Sequence, residues 1–269
     1  MSSNTLGTAL ITGASTGIGA VYADRLAKRG YNLILVARDA ARMETLAERL
    51  RAETGVIVDV IRADLTVTAD VTAIEQKLAS DPSITLLINN AGMSLNGGIL
   101  ENGPEQLTRI IALNITAPTL LASAAGKAFV ARGQGAIVNI ASVLAFAPEM
   151  FDGVYSGTKA FILNLSQSMA AQQKQKGLYV QAVLPGATRT EIWERSGKDV
   201  DALLGSDSVM DVDDMVDAAL IGFDRRETVT IPPLADEGQF IALNEARLAM
   251  GPNLSKRDVA ARYREAVTA

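Results

Sequence analysis

Short apolar, strand-like runs alternate with longer helix-period runs along this chain, and that alternation restricts the fold more than any other feature. The strand-like runs fall at 8–11, 32–37, 56–62, 85–89, 136–141 and 179–184. Helical patterns lie between them, around 18–29, 40–53, 69–80, 104–131 and 153–176. Helices of this length between successive strands imply right-handed crossovers and a parallel sheet covered on both faces. No Pro/Gly/Ser-rich linker and no internal repeat divides the 269 residues, so the reading is one doubly wound α/β domain over 1–269. Helical patterns resume at 211–222 and 236–249. The less regular stretch 187–210 reads as a substrate loop or as a solvated connection. The charged stretch 255–269 reads as a tail that packs on a neighbour or frays.

Composition removes whole classes of chemistry. The chain has no cysteine and no histidine. That excludes disulfides, thiolate chemistry, Ser-His-Asp hydrolysis, histidine-ligated zinc and imidazole acid–base catalysis. Proton transfer is left to Tyr, Lys, Asp or Glu, and no metal is expected. A formal charge of −5 argues against a nucleic-acid partner. No continuous apolar run approaches the ~18 residues of a membrane span, and the opening MSSNTLG lacks signal-peptide character. The expectation is a cytoplasmic protein with no membrane partner.

The first strand-like run leads into "TGASTGIG" (12–19), with Gly13, Gly17 and Gly19 ahead of a helical period of Ile18, Val21, Tyr22 and Leu26. Strand, glycine turn and helix aim free backbone N–H groups at a phosphate. A tight βα turn without a ligand is the alternative for this segment alone. In an open parallel sheet, however, ligands bind beyond the carboxyl ends of the strands. Every such end here carries small, polar or turn residues: the glycine turn, Arg38, Asp64 with Leu65, Asn90-Ala91-Gly92, Ser142, and Pro185-Gly186. Six ends of that kind suit an extended ligand lying across them.

With "NNAG" (89–92), Asn114, Ser142, "YSGTK" (155–159) and "PGATRT" (185–190), the chain resembles the short-chain dehydrogenase/reductase family over about residues 8–190. The resemblance implies a single Rossmann-type domain with a seven-stranded parallel sheet and a bound NAD or NADP. It assigns Gly13, Ser15, Thr16, Gly17, Ile18 and Gly19 to the pyrophosphate turn, and Asp64 and Leu65 to the adenine. It places Asn90, Ala91 and Gly92 beside the adenosine ribose. Pro185, Gly186, Thr188 and Thr190 fall on the nicotinamide and diphosphate side. "ETVTIPPLADEG" (227–238) departs from the glycine-rich segment that many members carry after their last strand, so the seventh strand is not legible.

Tyr155 and Lys159 stand four apart at the start of a helical run and so share a face. Alone, such a pair is ordinary surface packing. Beside a cation at ~4 Å, in an effective dielectric of ~20, phenolate gains about 4 kcal/mol, so Tyr155 is expected to titrate roughly 3 units below its usual ~10. It then serves as the acid in carbonyl reduction and the base in alcohol oxidation. The resemblance gives Ser142 the substrate oxygen, Lys159 the nicotinamide ribose as well, and Asn114 a water linking Lys159 to solvent. Met93, Leu144, Phe151, Ile192 and Trp193 flank these motifs, as walls of an apolar pocket or as core.

Cofactor choice rests on the end of the second strand. NAD sites usually place a carboxylate there; this chain has Ala37 followed by Arg38, which suits a 2′-phosphate, with Ser15 as a further donor. Asp39 complicates this if the strand ends one residue later. The expectation is NADP(H), with NAD(H) possible, and a small-molecule carbonyl/alcohol substrate. Its alternatives are a non-catalytic NADP-binding regulator and an epimerase or dehydratase of related fold. The resemblance also implies a homodimer or homotetramer paired through 104–131 and 153–176, where the Ala-rich 122–128 permits close helix approach.

Overall fold

The central strand β1 (Thr8–Thr12) is buried along its whole length and pairs in parallel with two neighbours. On one side lies β2 (Asn32–Ala37), with Thr8 opposite Asn32 and Thr12 opposite Val36, and beyond it β3 (Val58–Arg62). On the other side follow β4 (Ile84–Asn89), β5 (Gly135–Ile140), β6 (Leu178–Val183) and β7 (Val229–Thr230). The order is β3-β2-β1-β4-β5-β6-β7, seven parallel strands in the doubly wound arrangement. The order reverses between β1 and β4, which opens a crevice at their carboxyl ends. The computed structural model describes residues 6–173, 176–191, 193 and 199–264.

Alternation within the strands sends successive side chains to two cores. Ala9, Ile11, Leu33, Leu35, Leu86, Ile88 and Val138 face one layer, packed against Tyr22, Leu26, Met43, Leu50, Met215 and Leu220. Those partners come from α1 (Gly17–Lys28), α2 (Ala40–Thr54) and, later in the chain, the helix Val212–Asp224. Leu10, Ile34, Val36, Leu87 and Ile137 face the other layer, against Val71, Ile74, Leu78, Leu121 and Phe129. These belong to α3 (Thr68–Ser80) and α5 (Ala117–Arg132).

The predicted 104–131 helix is built in three parts. α4 (Pro104–Ile111) passes into a π turn over Ala112–Thr116 and then into α5. Taken together, 104–132 is long and apolar enough by length and composition to cross a bilayer, which corrects the reading from continuous apolar runs. In this fold its Leu121, Ala122, Ala125 and Phe129 are fully buried against the sheet. α6 (Gly153–Gln173) follows β5.

The expected loop 187–210 returns on itself. Thr188 bridges Met210, and Met210 N and Arg189 N donate to Ala187 O and Met210 O, both at 2.9 Å. Within it a short helix, α7 (Val200–Leu204), is capped by Asp199, while residues 192 and 194–198 lie outside the described residues. α8 (Val212–Asp224) leads to β7, a strand of two residues that pairs with Ala182 and Val183.

Two compact units result, 1–233 and 234–269. The second contains α9 (Glu237–Met250), capped by Asp236, with no buried residue. The expected tail 255–269 is described as far as Arg264, and 265–269 lie outside the described residues.

Candidate active site

The turn after β1 is held by a small polar network. Thr12 Oγ1 donates to Ile88 O at 3.3 Å and accepts from the backbone N–H groups of Asn90 and Ala91, both at 3.0 Å. Asn90 Nδ2 donates to Thr12 O at 3.0 Å and Gly13 O at 3.2 Å, so its side chain is committed to the turn. Gly13 and Gly17 have φ of 67° and 54°, a region that glycine enters without steric cost. Gly19 answers a different need. A Cβ there would lie 2.3 Å from Gly13 O, so only glycine lets α1 sit this close to the turn. The first turn of α1 holds no acidic residue, and Thr16 offers it no side-chain cap. Positive helix end, open turn and small residues together fit a diphosphate. Ser15 and Ile18 belong to the same turn and first helical residues and are half-buried.

β2 ends at Ala37, and Asp39 is the N-cap of α2, its carboxylate accepting from Arg42 N at 3.0 Å. The one-residue ambiguity is therefore resolved: the acidic side chain serves the helix, and Arg38 is the first residue past the strand. Arg38 is exposed and makes no ion pair among the described residues. Its charge and that of Arg109 reach Asp64. Burial pushes the Asp64 carboxyl up, but hydrogen bonds from Thr66 and these two charges bring it below its ordinary range. Leu65 beside it is buried.

The π turn widens the helix at Asn114, a device that recurs at functional sites. Asn114 is buried; its Oδ1 accepts from Met93 N at 2.9 Å, while Nδ2 donates to Met93 O at 2.8 Å and to Thr158 Oγ1 at 3.1 Å. Thr158, on α6, in turn donates to Tyr155 O at 2.7 Å. The loop after β4, the π turn and the first turns of α6 are thereby tied together. Gly92 lies between them: a Cβ there would be 3.4 Å from Asn114 Oδ1 and 3.6 Å from Lys159 Nζ.

α6 begins beside Asp152, which is buried and accepts from Val154 N at 2.9 Å and Tyr155 N at 3.1 Å. That caps the helix at the residue that carries the phenol. Ser142 follows β5, is buried and accepts from Leu144 N at 3.2 Å, and its hydroxyl favours the ionised form of the Tyr155 phenol. Lys159 Nζ donates to Ile140 O at 2.8 Å and lies 5.7 Å from the centre of the Tyr155 ring.

The expected lowering of Tyr155 is not found. Burial pushes its phenol up to about 12, with the Ser142 hydrogen bond acting the other way. Burial also pulls the Lys159 ammonium down to about 8. Taking both groups out of water costs each its charged form, and that outweighs the attraction read from their spacing.

On the β6 side, Thr188 Oγ1 donates to Gly186 O at 3.1 Å, and the Thr190 side chain lies 3.3 Å from where a Gly17 Cβ would be. Pro185 O accepts from Val143 N at 3.0 Å, joining this end to that of β5. Glu191 reaches across to Arg42, with both carboxylate oxygens 2.8 Å from Nη1. Trp193 donates its indole N–H to Thr188 O at 2.9 Å, and Phe151 packs edge-to-face with both Tyr155 and Trp193. Leu144 is half-buried and Met93 lies at the Asn114 clamp; Ile192 is outside the described residues. Thr12, Thr158 and Asp152 escaped the sequence reading. Asp152 alone carried a visible signal, an acidic residue three places before the phenol at a helix start.

Comparison with known proteins agrees with this geometry. Residues 7–201 match the short chain dehydrogenase family. A short-chain dehydrogenase from Sphingobium yanoikuyae, solved in complex with NADPH, is 53% identical with a TM-score of 0.94, covering 96% of this chain and 100% of that one. The bulky-bulky ketone specific alcohol dehydrogenase from Comamonas testosteroni is 49% identical with a TM-score of 0.89, covering 97% and 100%. Human 17-beta-hydroxysteroid dehydrogenase type 3 is 35% identical over 184 residues, which are 68% of this chain and 59% of that enzyme's length. This chain, with its seven parallel strands and its Ser142, Tyr155 and Lys159 gathered beyond β5, belongs to the short-chain dehydrogenase/reductase family of oxidoreductases.

Proposed function

We propose that this chain reduces a ketone to a secondary alcohol, reversibly, with NADPH preferred to NADH. The observation that carries the reading is the convergence of Asn114 and Lys159 on Gly92, with Lys159 also lying 5.7 Å from the centre of the Tyr155 ring. When bound, the nicotinamide supplies the hydride for reduction or accepts it in oxidation, so that ketone, NADPH and one proton balance against alcohol and NADP⁺. The residues do the rest. Ser142 orients the substrate oxygen through its hydroxyl. Tyr155 gives its proton to that oxygen; an alkoxide is a far stronger base than a phenolate, so this transfer runs downhill even from a phenol at about 12. Lys159 holds a positive charge near the phenol and reaches toward the ribose, and Asn114 fixes the adjoining backbone of Met93.

The glycine turn (Gly13, Ser15, Thr16, Gly17, Ile18, Gly19) and the end of β6 (Pro185, Gly186, Thr188, Thr190) hold the diphosphate and nicotinamide side. Asp64, Leu65, Asn90, Ala91 and Gly92 border the adenosine. NADP preference is supported by Arg38, exposed and unpaired among the described residues while Asp39 is occupied as a helix cap. The relatives that bear NADPH, a bulky ketone specificity and a hydroxysteroid activity support a ketone as the oxidant. A panel of ketones, with NADPH consumption followed by absorbance, tests the reading directly.

Units 1–233 and 234–269 are proposed to serve one enzyme, with the whole dinucleotide site carried by the first. A cytoplasmic homodimer or homotetramer is supported by the cysteine-free composition and by Ile111, Leu120 and Phe161, which stay exposed on α4–α6. Light scattering at micromolar concentration checks the assembly.

A further inference from the structure

Thr158 precedes Lys159 in the first turns of α6 and is buried. Its hydroxyl has one hydrogen, and that hydrogen goes back to Tyr155 O at 2.7 Å. Toward Asn114 the same oxygen can only accept, and it takes one Nδ2 hydrogen at 3.1 Å. The other Nδ2 hydrogen goes to Met93 O at 2.8 Å, while Asn114 Oδ1 accepts from Met93 N at 2.9 Å. Every polar hydrogen of these two side chains is placed, in a run from the Met93 peptide through Asn114 and Thr158 to the Tyr155 carbonyl. The Tyr155 N–H is held too, by the buried Asp152 carboxylate at 3.1 Å. Both backbone groups of the residue that carries the phenol are therefore fastened by buried side chains.

We propose that Thr158 is a positioning residue for the reaction: its hydroxyl, by holding Asn114, sets the α6 face of Tyr155 and Lys159 against the Gly92–Met93 loop. The proposal rests on the oxidoreductase reading above and adds a residue to it. Thr158 moves no proton, because its one hydrogen is committed to the Tyr155 carbonyl. What it supplies is register. A Cβ on Gly92 would lie 3.6 Å from Lys159 Nζ, so a small shift of that loop against α6 changes the surroundings of the cation directly. Valine at 158 keeps the shape but removes the hydroxyl. It leaves a buried Asn114 N–H without its acceptor, and the clamp then loses its anchor on α6. Serine keeps the oxygen and both of its bonds.

A double-mutant cycle of Thr158→Val with Asn114→Ala, read in two ways, tests this. Denaturant titration of the cofactor-free chain is expected to show coupling: the double variant loses less stability than the two single losses summed. Equal losses overturn the contact. The second readout is the single-turnover rate of ketone reduction at saturating NADPH and ketone. Thr158→Val is expected to lower it about 10- to 100-fold, as misplacement of a reacting group does, and to change NADPH affinity by less than about 3-fold. Thr158→Ser should stay within about 3-fold of the unaltered rate, and the double variant within about 2-fold of Asn114→Ala alone. Thr158→Ala replaces the valine variant if that one fails to fold. Coupling in stability without coupling in rate makes the residue merely structural and overturns the proposal. So do a loss confined to NADPH affinity or KM, and a serine variant as slow as valine. Each of these leaves the oxidoreductase reading standing. Failure of the unaltered enzyme to consume NADPH with any ketone of the panel overturns that reading and the role of Thr158 with it.

Discussion

The Lys159 ammonium donates a 2.8 Å hydrogen bond to the carbonyl of Ile140, the last residue of β5. That bond fixes a buried cation at the end of a central strand, one residue before Ala141 and two before Ser142. The lysine is aimed from α6 at the sheet and reaches Tyr155 across the same face. Position rather than attraction is what this contact supplies, since burial alone pulls the ammonium down to about 8.

A pH dependence of stability follows from that burial. Lys159 titrates at about 8 when folded and near 10.5 when unfolded, so between these values the unfolded chain binds more protons. Stability therefore rises as pH climbs from about 8 toward 10. Tyr155 acts in the opposite sense at higher pH: its folded value of about 12 exceeds the unfolded 10, so its contribution is lost above pH 10. Melting temperature measured from pH 7 to 10 is expected to show a rise that Lys159→Met removes. A melting temperature that falls across this interval, equally in both proteins, contradicts the burial of a charged lysine.

Gly19→Ala tests how tightly α1 is seated. The new methyl would collide with Gly13 O and with Asn90 Nδ2, neither of which can retreat without breaking the turn. Overpacking of this kind costs ~1–3 kcal/mol, and denaturant titration is expected to show a loss at the upper end together with weakened NADPH binding. Gly30→Ala serves as the control, because nothing occupies the space beside Gly30, though its φ of 91° brings strain of its own. Its NADPH affinity should stay intact.

The layers of this fold were legible because periodicity is a local property. Runs at 32–37 and 8–11 became β2 and most of β1, since their apolar residues are needed on both faces of the sheet. β7 was not legible: two residues, Val229 and Thr230, pair with β6 and carry too little pattern to be recognised. The π turn at Asn114 was invisible for another reason. Nothing in "IIALNITAP" distinguishes a widened turn from an α-helix, and only the Met93 clamp shows why the helix opens there. Motif spacing brought Tyr155 and Lys159 to one face, but it carried no information on desolvation. The expected low phenol therefore failed, because a titration depends on what the rest of the chain packs around the group.

Arg38→Ala tests cofactor choice. A charge-assisted pair with a 2′-phosphate contributes ~1.5–3 kcal/mol, so NADPH affinity is expected to fall roughly 10- to 150-fold. NADH, which lacks that phosphate, should bind as before. Calorimetric titration of both cofactors on both proteins reads the difference, and an unchanged NADPH:NADH ratio contradicts the assignment.

The central claim is that Tyr155 moves the proton, and Tyr155→Phe tests it most directly because ring, packing and the Phe151 contact all survive. The measurement pairs NADPH affinity with the single-turnover rate of ketone reduction. Affinity within about 2-fold of the unaltered enzyme and a rate lower by ~10²–10⁴-fold are expected. A variant that binds NADPH normally and keeps more than about a tenth of the rate contradicts the account, and places the proton on another group.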